Sequence, residues 1–404
     1  MPKFKGAIYQ LSVAAFAVAI FGLCTQLYVR MLMGGVEKKT NAAIYENQKQ
    51  VPNHLPGDLS LPSLYDVVRN DSRLSRFQRV LSYLPPDIVS FIEKADVAPT
   101  TLFAPIDDAF AQESFRWDTS ALLWVLLSLY HHVPGNFTLD DLKAHDTIPT
   151  HHFADIFESF AQPISIQYSR LNTRLNHRAT IVESEVKARN GHLYYIDRVL
   201  MLPNSTAYIT RNSPEFSLLR KGLDETGLAV VVNDTSIHHG QTFFAPSNAA
   251  FKKLGSRVND FLFSPWGKTC LRALLEYHVI ANQTLFTNSH FKANGRGPGL
   301  IYMSTMVKPL QVKVNIVKNG ERGALILNDA IPVTQSDIVV QDGVIHRVDE
   351  FLLPPKPETE AQNSSHSTPV WKKIWFKLFR ANQMTVEELM ERFEPYIDQL
   401  QDGI

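Results

Sequence analysis

The strongest constraint on the fold is an internal repeat in the sequence. The stretch TLFAPIDDAF at 101–110 returns as TFFAPSNAAF at 242–251. Two further pairs of blocks recur in the same order: YHHVPGNFTL at 130–139 with EYHVIANQTL at 276–285, and RNGHLYYIDRVLMLP at 189–203 with QDGVIHRVDEFLLPP at 341–355. Three ordered matches predict that one folding unit has been duplicated, with a first domain at 59–203, a short linker at 204–210 and a second domain at 211–355.

The first block predicts a strand followed by a helix. In both copies a short apolar run ends at a proline, which cannot donate a hydrogen bond to a neighbouring strand. Asp107 in the first copy and Asn248 in the second follow this proline. We expect each of them to cap the first free amides of a helix whose first turn buries Phe110 or Phe251.

The second block predicts an amphipathic helix that ends near a histidine. Apolar residues recur at helical spacing in both copies: Leu122, Val125, Leu126 and Leu129, and then Leu271, Leu274 and Leu275. The alignment places His132 on His278. A single histidine at the end of an apolar helix is typically buried and hydrogen-bonded to backbone, so we interpret both as structural residues.

The third block and the residues before it predict β-hairpins. The stretch PLQVKVNIVKNG at 309–320 alternates apolar and polar residues and ends in Asn-Gly, which is typical of a hairpin. Asn190-Gly191 and Asp342-Gly343 supply a further tight turn in each copy. Each domain is therefore predicted to place helices first and an antiparallel, hairpin-rich sheet after them, which is an α+β fold.

Taken in this order, the blocks resemble the fasciclin-type adhesion domain, present here in tandem. The shared pattern is T-φ-F-A-P-x-D/N-x-A-F, then H-V after a helix, then N/D-G and D-x-φ-L-φ-P, where φ is apolar. The resemblance implies a wedge formed by a twisted, antiparallel-rich β-sheet that is covered by helices. It also implies a role in adhesion or matrix contacts without catalysis. The first copy is the more diverged, because Ile106 stands where the family favours Thr or Ser.

The amino terminus predicts entry into the secretory route. Lys3 and Lys5 precede an apolar stretch at 8–29. This stretch is either a cleaved signal peptide or an uncleaved signal-anchor helix within 1–33, and a linker follows at 34–58. Both alternatives place the remainder in a lumen or outside the cell. The layout resembles fungal two-domain members, some of which are assigned to the vacuole. We therefore expect the vacuole lumen or the cell surface, as a secreted or type II membrane-anchored protein.

Six Asn-x-Ser/Thr sequons support the same side of the membrane, because such sequons are acceptors for N-glycosylation in secreted proteins. The predicted glycosylation sites are Asn70, Asn136, Asn204, Asn233, Asn282 and Asn363.

Composition argues against nucleic-acid binding and against a disulfide framework. Forty Lys and Arg residues balance forty Asp and Glu residues, so no net charge would attract a nucleic acid or an anionic membrane. Only two cysteines occur, and Cys24 lies in the apolar stretch. Cys270 is therefore left without a partner in the folded part of the chain.

The polar residues do not predict catalysis, a metal site or a cofactor. Three histidine doublets occur: His131-His132, His151-His152 and His238-His239. Adjacent residues point in different directions, which is unsuited to a shared metal ion. Asp107 and Asp108 could form an acid–base pair, but the second copy has Asn248, and an amide cannot exchange a proton. We therefore predict a non-enzymatic protein.

Asp337 and Ile338 are a possible interaction site. They fall where some animal members of the resembled family carry an Asp-Ile integrin-binding motif. The alternative is an acid beside an apolar residue at the entrance of a strand, which needs no partner. The resemblance thus implies a receptor contact that the residues themselves do not require.

The carboxy-terminal tail predicts a linker at 356–370 and two amphipathic helices at 371–404. Trp371 and Trp375 lie on one apolar face of the first helix, with lysines largely opposite. Thr385 and Glu388 form a capping box at the start of the second. Three roles remain open for this tail: docking on the second domain, binding a partner protein, or contact with a membrane surface.

These features together predict a non-enzymatic glycoprotein of the secretory or vacuolar route. Its two fasciclin-type domains would act in cell adhesion or in contact with a protein or matrix partner. The alternative is a lumenal protein that binds a small ligand or a glycan, or hydrolyses one. A deep, polar-lined pocket would favour this alternative.

Overall fold

The computed structural model describes residues 60–93, 99–112, 120–152, 161–183, 185–236, 239–287, 299–319, 322–355 and 384–401. The described chain divides into two compact units. Unit 1 contains residues up to Leu139, Pro149–Gln162 and Ala179–Leu200. Unit 2 contains Asp140–Ile148, Pro163–Arg178 and the residues from Met201 onward. Two segments of the first sequence repeat therefore belong to unit 2.

The described residues of unit 1 form five α-helices and a four-stranded sheet of order β2-β1-β8-β7. Its helices are α1 (Leu64–Asn70), α2 (Ser75–Leu81), α3 (Pro86–Glu93), α4 (Asp107–Ala111) and α5 (Ala121–His131). Its strands are β1 (Thr100–Pro105), β2 (His132–Pro134), β6 (Ala179–Thr180), β7 (Val186–Ala188) and β8 (Gly191–Ile196). Large aromatic side chains fill the core, among them Phe77, Phe103, Trp124 and Tyr194.

Unit 2 is built on a seven-stranded sheet of order β10-β9-β15-β14-β13-β12-β11. Its strands are β3 (Thr147–Pro149), β4 (Pro163–Tyr168), β5 (Thr173–Leu175), β9 (Gln241–Pro246), β10 (Val279–Ala281), β11 (Leu300–Ser304), β12 (Gln311–Asn319), β13 (Arg322–Leu327), β14 (Ile331–Val340) and β15 (Gly343–Val348). Its helices are α6 (Leu139–Ala144), α7 (Thr206–Asn212), α8 (Ser217–Thr226), α9 (Leu228–Asn233), α10 (Asn248–Leu254), α11 (Ser256–Leu262), α12 (Lys268–Glu276) and α13 (Val386–Gln401). Strands β3, β4 and β5 are neighbours in a separate small sheet.

Each large sheet contains one parallel pair, which the antiparallel prediction omitted. Strand β1 runs parallel to β8, and β9 runs parallel to β15. A parallel pair needs a long connection, and the helices and hairpins between the first and last strands of each repeat supply it. The predicted hairpins are present: Asn319 lies opposite Arg322, and Val340 lies opposite Gly343.

Helices α5 and α12, in the second repeated block, differ in how well apolar spacing predicts their buried residues. In α12 the predicted residues Leu271, Leu274 and Leu275 are all buried. In α5 the predicted Val125 is buried, together with Trp124 and Leu127, while Leu122, Leu126 and Leu129 are only half-buried. The sequence of α5 is apolar on almost every side, so its periodicity does not define one face.

The tail helix α13 packs on the core of unit 2. Leu389 and Phe393 are fully buried in that core, and Arg392 Nη1 donates a hydrogen bond to the Pro354 carbonyl at 2.7 Å. Thr385 Oγ1 accepts a hydrogen bond from the Glu388 N–H at 3.1 Å. Trp371, Trp375 and the apolar stretch at 8–29 lie outside the described residues. Within the described ranges, no helix is both long and apolar enough to cross a membrane.

Gly343 is predicted to be indispensable because β9 and β15 approach closely there. At φ 153°, a Cβ on Gly343 would lie 2.1 Å from the Gln241 carbonyl oxygen. We expect Gly343→Ala to lower the free energy of unfolding by more than ~3 kcal/mol, since the two strands must separate. Urea denaturation of the full-length chain measures this change.

Gly227→Ala is the matched control. Gly227 also has a positive φ, of 72°, but a Cβ there would meet no described atom within 4 Å. We expect a loss of about 1 kcal/mol from the left-handed conformation alone. Equal losses in the two variants would show that close approach of the strands is not the constraint at Gly343.

Candidate functional site

The histidine shared by the two repeats is a buried structural residue. His278 Nδ1 donates to the Leu274 carbonyl at 2.7 Å, and Nε2 accepts from the Leu352 N–H at 2.9 Å. His131 makes the same pair of contacts with the Leu127 carbonyl at 2.8 Å and the Leu200 N–H at 3.0 Å. A backbone N–H can only donate, so each neutral ring carries its proton on Nδ1.

These contacts correct the sequence alignment by one residue. Val133 lies opposite Thr101 in unit 1, and Ile280 lies opposite Thr242 in unit 2. The residue equivalent to His278 is therefore His131, which precedes Val133 by two positions, and not His132. The alignment was wrong here because the first copy carries two adjacent histidines, and either one could be matched. His132 is also buried and contacts the Ser128 carbonyl at 2.6 Å.

Burial keeps these rings neutral. It lowers the pKa of His131 to about 3 and that of His278 to about 4, against the opposing effect of the hydrogen-bonded carbonyls. A protonated ring would also lose the acceptor that pairs with the Leu200 or Leu352 N–H. Neither histidine is placed to exchange protons with a ligand.

Asp107 and Asn248 cap helices, but not the helices that were predicted. The caps of α4 and α10 are Ile106 and Ser247, one position earlier. Asp107 Oδ1 instead accepts from the Arg76 N–H at 2.8 Å, at the start of α2. Asn248 Oδ1 accepts from the Leu218 N–H at 3.0 Å, at the start of α8. Both side chains therefore tie the start of one helix to the start of a preceding helix.

A second pair of helix caps was not predicted from the sequence. Asn190 Oδ1 accepts from the Leu64 N–H at 2.8 Å, and Asp342 Oδ1 accepts from the Thr206 N–H at 2.8 Å. Leu64 and Thr206 are the first residues of α1 and α7. Asn190 and Asp342 occupy matched positions before a glycine in the two copies, which could have indicated a shared role. The sequence analysis predicted only that these Asn/Asp-Gly pairs form turns.

Asp337 lies in a bulge of β14, with its carboxylate directed inward. The β14–β15 register shifts between Gln335 and Ile338, and Asp337 has a φ of 55°. Its side chain is only 2% exposed and accepts hydrogen bonds from both the N–H, at 3.0 Å, and the hydroxyl of Thr287. A receptor could bind this carboxylate only after these hydrogen bonds had broken. Ile338 is half-buried against the core.

A polar cavity of about 380 Å³ lies in unit 2 beside this bulge. Segments distant in sequence form it, and its lining residues are Asp146, Ile166, Gln167, Tyr168, His177, Arg322, Thr334, Gln335, Ser336, Asp337 and Arg347. Ile166 and Tyr168 are the apolar and aromatic members of this lining. A concave site with converging polar groups is the default candidate for ligand binding.

Two lining side chains hold buried polar atoms without a partner. Arg322 Nε donates to the Lys143 carbonyl at 2.7 Å, whereas its buried Nη2 has no hydrogen-bond partner among the described residues. His177 Nδ1 lies 3.1 Å from Gln335 Nε2, which is a donor, so the neutral ring carries its proton on Nε2. That Nε2 is also buried and unpaired within the described part of the chain.

The pKa values of three side chains of the cavity, Asp146, Asp337 and His177, are shifted from their ordinary values. Burial raises the pKa of Asp337 to about 6 against the hydrogen bonds from Thr287. Burial and the nearby Asp337 raise the pKa of Asp146 to about 6, although the Gly323 N–H and Arg322 act in the opposite direction. Burial lowers the pKa of His177 to about 4, while the nearby Ser336 and Asp337 backbones oppose this shift without forming a hydrogen bond to Nε2.

The predicted glycosylation sites differ in exposure. Asn70, Asn204, Asn233 and Asn282 are exposed. Asn136 is half-buried, and its Oδ1 is buried without a hydrogen-bond partner in the described residues. Asn363 lies outside the described ranges. Within those ranges, the structure does not group three His, Cys, Asp or Glu side chains as metal ligands.

Comparisons with known proteins match both repeats. The fasciclin domain model matches residues 72–203 and 214–354. The chain is 33% identical to aurofusarin biosynthesis cluster protein S of Gibberella zeae over 88% of this chain and 92% of that protein. It is 28% identical to stabilin-2 of Rattus norvegicus over 65% of this chain, but spans only 18% of that protein.

A solved structure is also similar. It is the FAS1 domain pair of the insect cell adhesion molecule fasciclin I, at 17% identity and a TM-score of 0.37. The match covers 70% of this chain and 97% of that one.

The buried His278 predicts a loss of stability in acid. Its pKa is about 4 in the folded chain and near 6.5 in the unfolded chain, so below pH 6.5 the unfolded chain binds more protons. The free energy of unfolding should therefore fall by about 1.4 kcal/mol per pH unit for this group between pH 6.5 and pH 4. Urea denaturation across this range, in the wild type and in His278→Gln, measures it.

The difference in the free energy of unfolding between the wild type and His278→Gln isolates the contribution of His278. Asp146 and Asp337 bind protons in the folded chain at higher pH than in the unfolded chain, so their contribution to the free energy of unfolding rises as the pH falls. This contribution is the same in both proteins and cancels in the difference. We expect His278→Gln to be less stable at neutral pH and to approach the wild type as the pH falls. Parallel curves for the two proteins would contradict a neutral, buried His278.

Proposed function

Because the chain belongs to the fasciclin-domain family and carries the domain twice, we propose that it acts by non-enzymatic binding, in adhesion or in contact with a protein or matrix partner. The observation that carries this proposal is the use of the shared polar residues. His131 and His278, like the helix-capping side chains, hydrogen-bond within the fold. The duplicated motif therefore maintains a shape and leaves recognition to the surface.

Trp266 is the most exposed aromatic residue in the described part of unit 2. Trp266 is 89% exposed, in the loop between α11 and α12. The loop backbone is fixed, because the Gly267 N–H donates to the Ser264 carbonyl at 3.1 Å and a Cβ on Gly267 would lie 2.0 Å from the Phe261 carbonyl oxygen. Exposed tryptophans on a fixed backbone are favourable anchors for a protein partner, since little entropy is lost on binding.

We further propose that the chain enters the secretory route and is glycosylated. The apolar stretch at 8–29 would direct it there, as a signal peptide or a type II anchor, and the protein would reside in the vacuole lumen or at the cell surface. Four exposed sequons support this proposal. The name of the Gibberella zeae relative places that protein in a biosynthesis cluster, which supports a partner that itself belongs to a biosynthetic pathway.

The cavity favours a second candidate function, the binding of a small ligand. Arg322 and His177 line it, and each has a buried nitrogen, Nη2 and Nε2, that no described residue satisfies, so a molecule that brought a polar group to either atom would add a hydrogen bond. Hydrolysis is not part of this candidate. Asp146 accepts a hydrogen bond from the Gly323 N–H, and Asp337 accepts two from Thr287, so neither carboxyl group is poised as a free base.

Trp266→Ser is predicted to weaken adhesion without unfolding the protein. Surfaces coated with the full-length chain should retain cells of the producing organism better than albumin-coated surfaces, and the variant should lose most of this excess. Thermal unfolding should be unchanged, because the side chain is almost fully exposed. Leu171→Ser, at a residue that is 95% exposed, is the control and should adhere like the wild type. Attachment no better than to albumin would refute the adhesion proposal.

Glycosylation is predicted to follow exposure. Single Asn→Gln variants at Asn70, Asn204, Asn233 and Asn282 should each remove one glycan, seen as a step in electrophoretic mobility after expression in a eukaryotic host. Asn136→Gln should leave the mobility unchanged, because the Asn136 Oδ1 is buried. If treatment with an N-glycosidase does not shift the wild-type protein, the proposed secretory route is wrong.

A further inference from the structure

We propose that the cavity of unit 2 binds a small hydroxylated carboxylate, such as a sugar acid, whose carboxylate is held by Arg322. This inference rests on the second candidate function, the binding of a small ligand, and names its chemical class; it is independent of adhesion, which needs only the outer surface. The site is formed by β4, β13, β14 and β15, by His177, which follows β5, and by Asp146, which lies just before β3.

Arg322 supplies the anion-binding group. The hydrogen bond from Nε to the Lys143 carbonyl fixes the guanidinium, and its carbon lies 5.8 Å from the centre of the Tyr168 ring. The position is therefore preorganised before a ligand arrives. Arg322 lines the cavity, and its buried Nη2 has no acceptor among the described residues, so a carboxylate that matches the planar guanidinium would meet no competing acceptor at that nitrogen.

Arg347, the other arginine of the cavity, is already hydrogen-bonded to neighbouring side chains. Its Nε donates to Thr334 Oγ1 at 3.1 Å, its Nη1 contacts Gln335 Oε1 at 3.4 Å, and it lies 3.5 Å from a carboxylate oxygen of Asp349. These contacts occupy several of its donors and offset its charge. Arg322 is therefore the stronger candidate to pair with a ligand carboxylate.

The remaining lining selects hydroxyl groups. Gln167 Oε1 accepts from the His177 N–H, Thr334 Oγ1 accepts from Arg347 Nε, and Gln335 Oε1 accepts from Arg347 Nη1. Each of these oxygens keeps a second acceptor site, and the Ser336 hydroxyl also lines the cavity. Hydroxyl groups of a ligand can donate to these oxygens, whereas a purely apolar molecule cannot.

Binding should be tighter in mild acid. Five titratable or charged side chains face the cavity besides Tyr168: Asp146, Asp337, His177, Arg322 and Arg347. Asp146 and Asp337 have a pKa of about 6, so near pH 5 both are largely neutral and no longer repel an anion. His177, with a pKa of about 4, stays mostly neutral there, and a sugar carboxylate stays ionised.

The test is calorimetric titration of the full-length protein with galacturonate and with galactose, its neutral match. We expect galacturonate to bind more tightly than galactose, and more tightly near pH 5 than near pH 7.5. Arg322→Gln should weaken galacturonate binding about 10- to 100-fold, as expected for the loss of charge-assisted hydrogen bonds. Arg257→Gln, at an exposed arginine of α11 outside the cavity, should bind like the wild type.

A second variant keeps the test decisive if Arg322→Gln does not fold. Ser336→Leu places a larger apolar side chain in the cavity and retains Arg322, so it should abolish binding. Thermal unfolding establishes that each variant is folded. Three results would overturn the proposal: equal affinity for galactose and galacturonate, wild-type affinity in a folded variant of either kind, or tighter binding of inorganic phosphate than of galacturonate, which would indicate recognition of charge alone.

Discussion

The fold of each repeat depends on a hydrogen bond between a buried imidazole and the chain segment that follows the last strand. Without it, the Leu200 or Leu352 N–H would be buried without a partner, at a cost of about 1–3 kcal/mol. The same ring holds the end of the preceding long helix through its other nitrogen. One neutral side chain thus joins helix and closing segment, while the glycine at the start of the last strand allows that strand to lie parallel to the first.

The sequence predicted what is repeated and local. The strand–proline–helix corner, the Asn/Asp-Gly turns and the burial of Phe110 and Phe251 could all be inferred from single segments. The sequence could not predict which group a polar side chain hydrogen-bonds in the folded chain. Asp107 and Asn248 indicated caps, yet the helices that they cap begin about thirty residues earlier, and only tertiary packing brings those amides near. The first copy has two adjacent histidines, and only the strand pairing shows which of them is equivalent to His278.

The candidate cavity was not predictable in the same way. Its lining lies outside the matched blocks, except for Arg347, and comes from loops and hairpins in which the two copies differ. Asp337 was noticed as a possible surface motif, but a bulge turns its carboxylate inward onto Thr287. A bulge depends on the pairing of two strands, and the alternation of residues in β14 alone does not reveal it. Arg322, which follows the hairpin turn, reads in the sequence as an ordinary solvent-facing residue.

The division of the chain into units has a consequence for how such a protein can evolve. Residues 140–148 and 163–178 are encoded in the first copy but belong to the compact unit built mainly by the second. Exchange of one whole copy between genes, with a break at 204–210, would remove Asp146, Tyr168 and His177 from that unit. The two copies are therefore not independent modules for domain shuffling. We expect a substitution in one copy to be retained only if it is compatible with the residues of the other copy.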